Sequence, residues 1–244
     1  MTEHAAQPPR TTQLPLPLRQ PEAEGLKRFI AEGNESLVAA VRHWTQGSGE
    51  PYLFVHGAAA SGKSQLLLCA ADEARRRGLH VIYLALDTDG LTPALLDELE
   101  HHDGVLLDAL QARSGAPDWE RALFNLYNRL RDSDRQLLVA ARSPIGQLGI
   151  QLPDLASRLA AGAPYNLKPL DDKGRRLLLR TGGKQRGLDL SDALINYILS
   201  RCPRHPGTLT LLLDRIDQTA LAEQRQPSVR LVGRLLEQLE SDTR

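Results

Sequence analysis

The chain of 244 residues has the length of one α/β domain with a small appendage. A hydrophobic fraction of 41% excludes a wholly disordered chain, and an aromatic fraction of 4% leaves the core to aliphatic side chains. Thirty Lys and Arg residues balance thirty Asp and Glu residues, which removes the broad electrostatic case for a binder of nucleic acid or anionic membranes. No stretch approaches the roughly 18 apolar residues of a membrane span, and the N-terminus lacks the apolar segment of a signal peptide. We therefore expect a cytoplasmic protein without a membrane partner.

Hydrophobic periodicity predicts strands and helices that alternate as far as residue 168. The predicted strands span 52–56, 80–86, 105–107, 136–141 and 163–168. The predicted helices between them span 35–44, 65–77, 92–100, 119–130 and 152–159. From residue 171 onward every periodic segment is helical. This order predicts a flexible tail over 1–25, a doubly wound parallel sheet in an α/β domain over 26–168, and a helical domain over 169–244.

A phosphate-binding loop follows the first predicted strand. Residues 57–64 match GxxxxGK[ST] at every fixed position, with a strand before them and a helix after them. In such a loop successive backbone N–H groups curl around phosphate oxygens, and the start of the next helix adds positive potential. We expect the nucleotide to be held by Gly57, Ala58, Ala59, Ala60, Ser61, Gly62, Lys63, Ser64 and Gln65. Lys63 would reach the terminal phosphates, and Ser64 would give its hydroxyl to Mg²⁺.

A second Mg²⁺ ligand is expected at the end of another apolar strand, and Asp108 follows Val105, Leu106 and Leu107. The alternative is an ordinary carboxylate at a strand end. The next residue is Ala109, whereas hydrolytic P-loop proteins usually carry an acidic residue there to orient the attacking water. Binding is therefore expected to survive, and intrinsic hydrolysis is expected to be weak.

The two cysteines, Cys69 and Cys202, lie in apolar, helical contexts. Neither has the CxxC or Cys/His spacing that metal or redox chemistry needs. We expect both to be buried packing residues.

The phosphate-binding loop, Asp108 and the helical C-terminal region together resemble the DnaA branch of the AAA+ ATPases. The segment QLPLPL at 13–18 is similar to the clamp-binding hexapeptide of regulatory members of that branch, and LPDLASRL at 152–159 is similar to their arginine-finger segment. The stretches LFNLYNR at 123–129 and AEQR at 222–225 are also similar, so the resemblance covers nearly the whole chain. It implies an AAA+ P-loop domain with a C-terminal helical lid.

The resemblance also implies a regulator of replication initiation. Such a protein binds ADP or ATP with Mg²⁺, binds the DNA-loaded sliding clamp, which is the polymerase β subunit, and stimulates hydrolysis of the ATP held by the initiator DnaA. DNA would be contacted only through the clamp, and a nucleotide-dependent homo-oligomer is expected. Arg158 would act in trans against the charge that develops on a neighbour's ATP. The alternative for Arg158 is a surface arginine at a helix end.

In the tail, Gln13 would anchor the clamp-bound peptide by hydrogen bonds, Leu16 and Leu18 would fill an apolar pocket, and Leu14 and Pro17 would support them. The alternative is a proline-rich linker. Three further residues, Phe29, Ile30 and Asn34, resemble the adenine-side segment of the family, although Asn34 also suits a helix N-cap.

Three positions depart from the family pattern. Ala109 follows the metal-binding Asp, Ala141 stands at the first-sensor position where an Asp is usual, and Gly207 stands at the second-sensor arginine, for which Arg204 is a possible substitute. These departures favour a protein that acts on a partner's ATP. Two alternatives remain: an autonomous AAA+ ATPase or loader, and a clamp-tethered nucleotide-binding scaffold without a catalytic role.

Overall fold

The computed structural model describes residues 25–202 and 205–242. The residues predicted to bind the clamp, at 13–18, and Arg204 lie outside this part of the chain. The five strands are β1 (Tyr52–His56), β2 (Val81–Ala85), β3 (Gly104–Asp108), β4 (Gln136–Ala141) and β5 (Ala163–Asn166). The helices are α1 (Glu35–Trp44), α2 (Lys63–Arg76), α3 (Pro117–Asp132), α4 (Pro153–Ala160), α5 (Asp172–Gln185), α6 (Asp192–Arg201), α7 (Pro206–Glu223) and α8 (Val229–Asp242). The predicted sheet and helical C-terminal region are confirmed.

The five strands form one parallel sheet in the order β2-β3-β4-β1-β5. In the register of β1 with its neighbours, Phe54 lies between Val139 of β4 and Pro164 of β5. Because all strands run the same way, the carboxyl ends of β1, β3 and β4 meet at one edge. That edge carries the loop between β1 and α2, and also Asp108.

Side chains that alternate along the strands fill a separate apolar core on each face of the sheet. On one face, Leu53 and Val55 pack with α1 and α2. On the other face, Phe54 packs with α3 and α4. The three central strands, β1, β3 and β4, are buried on both faces, as expected of a parallel sheet covered by helices, whereas the edge strands β2 and β5 are partly exposed.

The helices after β5 enclose a third core, in which Ile195, Leu212 and Val232 are fully buried. Asp171 caps α5 by accepting a hydrogen bond from the N–H of Gly174 (2.8 Å). Neither these helices nor any other helix in the described residues has the length and apolar character of a membrane span.

The prediction of one helix over 92–100 is wrong. The structure has two 3-10 turns there, Pro93–Leu96 and Leu99–His101, separated by Glu98 in the left-handed region at φ 62°. The break allows both Leu96 and Leu99 to be buried against α3. The carbonyl of Leu96 is satisfied by the Arg129 guanidinium (2.8 Å) rather than by a continuing helix.

The last strand is two residues shorter than the predicted 163–168. Leu167 still donates its N–H to the carbonyl of His56 (2.7 Å), but Lys168 turns toward the side chain of Asn34. The chain therefore leaves the sheet at the point where it reaches the C-terminal helices.

Candidate nucleotide site

A cavity of about 320 Å³ lies between the β1–α2 loop and helices α5 and α7. The sheet domain contributes Phe29, Ile30, Asn34, Ala60, Ser61, Gly62, Lys63, Ser64 and Gln65 to its wall. The C-terminal helices contribute Leu178, Thr181, Gly182, Gln185, Arg186, His205, Gly207 and Thr210. Nine of the residues predicted from sequence therefore line one cavity, whereas Gly57, Ala58, Ala59 and Asp108 are not part of its wall. Such a concave space with apolar sides and a polar end has the character of a small-molecule site.

The loop needs glycine at both ends of its motif. A β-carbon on Gly57 would lie 2.5 Å from the carbonyl oxygen of Leu167 and 2.9 Å from the hydroxyl oxygen of Ser61. Gly62 has φ +100°, a conformation that side chains rarely allow, and it immediately precedes α2. The two glycines let the backbone curl tightly and direct the first turn of α2 at the cavity.

Lys63 is folded back over this loop. Its ammonium group donates hydrogen bonds to the carbonyl oxygens of Gly57 (2.8 Å) and Ala58 (2.8 Å). Burial lowers its pKa, the carboxylate of Asp108 opposes that shift, and the positive charge of Arg142 adds to it.

Asp108 is buried at the end of β3, with 4% of its surface exposed. One carboxylate oxygen accepts a hydrogen bond from the hydroxyl of Tyr83 (3.0 Å), and the other accepts from the N–H of Ala109 (2.8 Å). Burial, and then the charge of Asp108, raise the pKa of Tyr83. Ala109 itself is in the left-handed region at φ 56° and places only a methyl group next to the carboxylate. Nothing at that position can orient a water molecule.

Ala141, the residue predicted at the first-sensor position, is the last residue of β4. Ala141 is fully buried and packs on the α3 and α4 face of the sheet, so it faces away from the loop. The next residue, Arg142, is exposed at the edge that carries the loop.

Asn34 stands at the N-cap position of α1, but its side chain makes no capping hydrogen bond. The side-chain oxygen accepts from the N–H of Lys168 (2.8 Å), and the side-chain amide donates to the carbonyls of Lys168 (3.0 Å) and Glu32 (3.2 Å). It therefore joins the segment before α1 to the connection between β5 and α5. The N-cap alternative for its side chain is wrong.

On the lid side of the cavity, Gly207 has no side chain that could place a positive charge near a ligand. The N–H of Gly207 donates to the imidazole Nδ1 of His205 (2.9 Å), so this side chain caps the start of α7. Arg186, which also lines the cavity, is bound to Asp214 through two of its nitrogens (2.6 and 3.0 Å).

Arg158 lies on α4, outside this cavity. Its side chain is partly exposed, and within the described residues its guanidinium has no hydrogen-bond or ion-pair partner. Leu155 and Leu159 of the same helix are buried against α3, which fixes the helix and leaves Arg158 on its outer side.

The C-terminal helices match a known family. Residues 172–236 match the family described as "Hda, lid domain". Among solved structures, the chain is similar to AMPPCP-bound DnaA from Aquifex aeolicus, at 26% identity and a TM-score of 0.67, over 78% of this chain and 64% of that one. It is also similar to DnaA bound to AMPPCP and single-stranded DNA, at 25% identity and a TM-score of 0.67, over 82% of this chain and 67% of that one. The chain also shares the fold of domain III of Thermotoga maritima DnaA. The identity is 20% and the TM-score is 0.74, over 87% of this chain and 95% of that one.

The chain is an AAA+ protein of the Hda/DnaA type. It has the fold of that type: a P-loop α/β domain followed by a helical lid. It spans about two thirds of the length of the DnaA chains that contain AMPPCP.

One residue of this AAA+ protein that the sequence analysis missed is Glu120. It is buried on α3 with 1% of its surface exposed, and its carboxylate accepts hydrogen bonds from the N–H groups of Gly115 (2.7 Å), Gln151 (3.0 Å) and Leu152 (2.7 Å). Leu152 precedes the first residue of α4, so Glu120 fixes the start of the helix that carries Arg158. A glutamate in the first turn of an amphipathic helix is an ordinary surface pattern, and nothing in the sequence distinguishes it.

Proposed function

We propose that this protein is a nucleotide-bound regulator of replication initiation that stimulates hydrolysis of the ATP held by DnaA. The observation that carries the proposal is the placement of Arg158: its guanidinium has no hydrogen-bond or ion-pair partner within the described residues, it lies on a helix packed against α3, and it is not part of the wall of the chain's own cavity. An arginine that served its own nucleotide would have to line that cavity. One that serves a partner's nucleotide must be accessible at the surface, and Arg158 is partly exposed.

The proposed ligand of the cavity is an adenine nucleotide, ADP or ATP. DnaA structures that resemble the chain contain AMPPCP, which supports a nucleotide in the corresponding place. The loop at 57–64 would hold the phosphates with its N–H groups and Lys63, and Phe29, Ile30 and Asn34 would lie beside the base. The apolar lid residues Leu178 and Leu213 close the other wall of the cavity.

The residues present also fit a bound Mg²⁺. Ser64 at the start of α2 would offer a hydroxyl, and Asp108 would offer a carboxylate held by two hydrogen bonds, with water completing the shell. The ion would neutralise phosphate charge. Hydrolysis in this site is expected to be slow because Ala109 has no side chain that can orient water.

The partners in the proposal are DnaA and the sliding clamp, with DNA reached through the clamp. Support for the clamp comes from the sequence QLPLPL at 13–18, in which Gln13, Leu14, Leu16, Pro17 and Leu18 would contact it. A nucleotide-dependent homo-oligomer is part of the same proposal. The lid-domain match and the likeness to DnaA support the replication context.

The test is the rate of hydrolysis of ATP prebound to DnaA, with this protein and DNA-loaded clamp added together. Arg158→Ala should lower the stimulated rate by about 10³-fold, and Arg158→Lys should recover little of it, because the planar guanidinium contacts phosphate oxygens in pairs. Arg131→Ala is the matched control, since Arg131 is an exposed arginine on α3 paired only with the exposed Asp132. It should leave the rate unchanged.

A triple alanine variant at Gln13, Leu16 and Leu18 tests the clamp separately. It should lose stimulation while Arg158 is intact, and should no longer bind the clamp. If the wild-type protein binds the clamp but gives no stimulation, the trans-acting arginine is refuted and the clamp-tethered scaffold becomes the better account. Rapid ATP hydrolysis by the chain alone would favour the autonomous ATPase.

A further inference from the structure

The hydroxyl of Tyr83 on β2 donates a hydrogen bond to one carboxylate oxygen of Asp108 on the neighbouring strand β3 (3.0 Å). In the register of these two parallel strands, Tyr83 lies opposite Leu106, which is two residues before Asp108. Two residues advance a strand by about 6.6 Å, a distance that the long side chain of a tyrosine can span. The phenol therefore extends along the sheet toward the edge at which β3 ends.

Both side chains lie on the face of the sheet that α2 covers. Tyr83 packs against the apolar core on that face, to which Leu106 also belongs, whereas Leu107 belongs to the core on the opposite face. Because side chains alternate along a strand, Asp108 returns to the α2 face. Ser64 is in the first turn of α2. The hydroxyl and the carboxylate that are expected to bind Mg²⁺ thus belong to one face and one edge of the sheet.

The carboxylate of Asp108 is held by one hydrogen bond on each oxygen. The hydroxyl of Tyr83 binds one oxygen, and the N–H of Ala109 binds the other (2.8 Å). The terminal torsion of an aspartate has a broad energy minimum, so a single hydrogen bond leaves the carboxylate free to turn. Two hydrogen bonds to different oxygens fix its plane. Each oxygen keeps a second lone pair for a cation, or for a water molecule bound to that cation.

We propose that Tyr83 is a positioning residue for Mg²⁺, whose hydroxyl orients the carboxylate of Asp108 toward the ion that accompanies the nucleotide. This inference rests on the proposed nucleotide site and deepens it. Tyr83 does not line the cavity, so it acts on the ion only through Asp108. Groups that hold a metal ligand in this way typically contribute about 10–100-fold to metal affinity. The affinity for a nucleotide without metal should not depend on this hydroxyl.

The experiment measures two quantities on the full chain with a fluorescent ADP analogue. One is the dissociation constant in the presence of a chelator, and the other is the Mg²⁺ concentration that gives half of the maximal increase in affinity. Tyr83→Phe should raise this Mg²⁺ midpoint by about 10-fold or more. The dissociation constant in chelator should stay close to the wild-type value, because phenylalanine keeps the ring and its packing against the core.

Two further variants serve as references. Asp108→Asn should raise the Mg²⁺ midpoint at least as much as Tyr83→Phe, because the tyrosine is proposed to act through this carboxylate. Tyr165→Phe is the matched control: Tyr165 packs on the same face of the sheet at the opposite edge, and within the described residues its hydroxyl has no hydrogen-bond partner. It should leave both quantities unchanged.

An unchanged Mg²⁺ midpoint in Tyr83→Phe overturns the inference. A parallel loss of affinity in chelator also overturns it, because that result would assign the hydroxyl a structural role. If the wild-type chain binds ADP equally well with and without Mg²⁺, the inference fails and the nucleotide site remains. Failure of the wild-type chain to bind ADP or ATP would instead refute the proposed function itself.

Discussion

The side chain of Asn34 and the backbone of Lys168 form a reciprocal pair of hydrogen bonds, although 134 residues separate them. The amide oxygen accepts from the N–H of Lys168, and the amide nitrogen donates to its carbonyl. Both residues line the candidate cavity. A neighbouring ion pair between Lys173 of α5 and Glu32 (2.6 Å) joins the same two segments. The segment before α1 thereby connects the sheet to the lid at the wall of the site.

Asn34→Ala should lower the free energy of unfolding by about 1–3 kcal/mol, because it removes both hydrogen bonds to the part-buried N–H and carbonyl of Lys168 and a third to the carbonyl of Glu32. Asn34→Asp should be at least as damaging, since a carboxylate keeps the acceptor but faces two carbonyl oxygens. Urea denaturation checks both values. Asn125→Ala, at an exposed asparagine of α3, should stay within about 0.5 kcal/mol of wild type. If Asn34→Asp equals wild type, the amide orientation is wrong.

The parallel sheet and the phosphate-binding loop could be predicted from sequence because each depends on local patterns. Strand alternation is visible in β1 and β4, whose predicted bounds agree with the structure, and the loop has fixed glycines and lysine. The prediction of a helix over 92–100 failed because Leu96 and Leu99 are buried by packing against α3. This is a tertiary contact, and helix propensity reflects only the local sequence. Nothing in the local sequence indicates that Glu98 adopts the left-handed conformation.

The parts of the site that sequence could not predict depend on long-range geometry. Asn34 was assigned to the site and to a possible helix cap, and only the contact with Lys168 decides what its side chain does. Glu120 was missed because its three N–H partners lie in turns and at a helix start elsewhere in the chain.

Glu120→Gln should loosen the start of α4. A glutamine amide places donors toward the N–H groups of Gln151 and Leu152, so stability should fall by about 2–3 kcal/mol. If Glu120 positions α4, the variant should also lose stimulation of DnaA-bound ATP hydrolysis under conditions where it remains folded, and amide hydrogen exchange should rise at 149–152. Asp118→Asn removes a carboxylate from the same helix start, but there it is exposed and paired only with the exposed Arg121. That control should be close to wild type in both measurements.

Both cysteines should be nearly unreactive in the native protein. Burial raises the pKa of Cys202 to about 11 and raises the pKa of Cys69 as well. Because the thiolate is the reactive form, Cys202 at pH 8 should carry about 100-fold less thiolate than a thiol of pKa 9, and limited access slows it further. Labelling with a disulfide reagent should therefore be slow in buffer and rapid in denaturant. Cys202→Ala isolates Cys69, and labelling of either residue at the rate of a free thiol would contradict the burial.

Gly57→Ala should damage both the fold and the nucleotide site. The added β-carbon would lie 2.5 Å from the backbone carbonyl of Leu167, so the first turn of the loop or the end of β5 must move. Leu167 is held in place by its hydrogen bond to His56, and we expect a loss of about 1–3 kcal/mol in stability, as for other overpacked sites. ADP affinity should fall with it, because the N–H groups of the loop lose their common direction. Gly146→Ala is the matched control: a β-carbon there meets nothing within 4 Å. Equal melting temperatures for the two variants would show that the loop has room at Gly57 and that its glycine is not required.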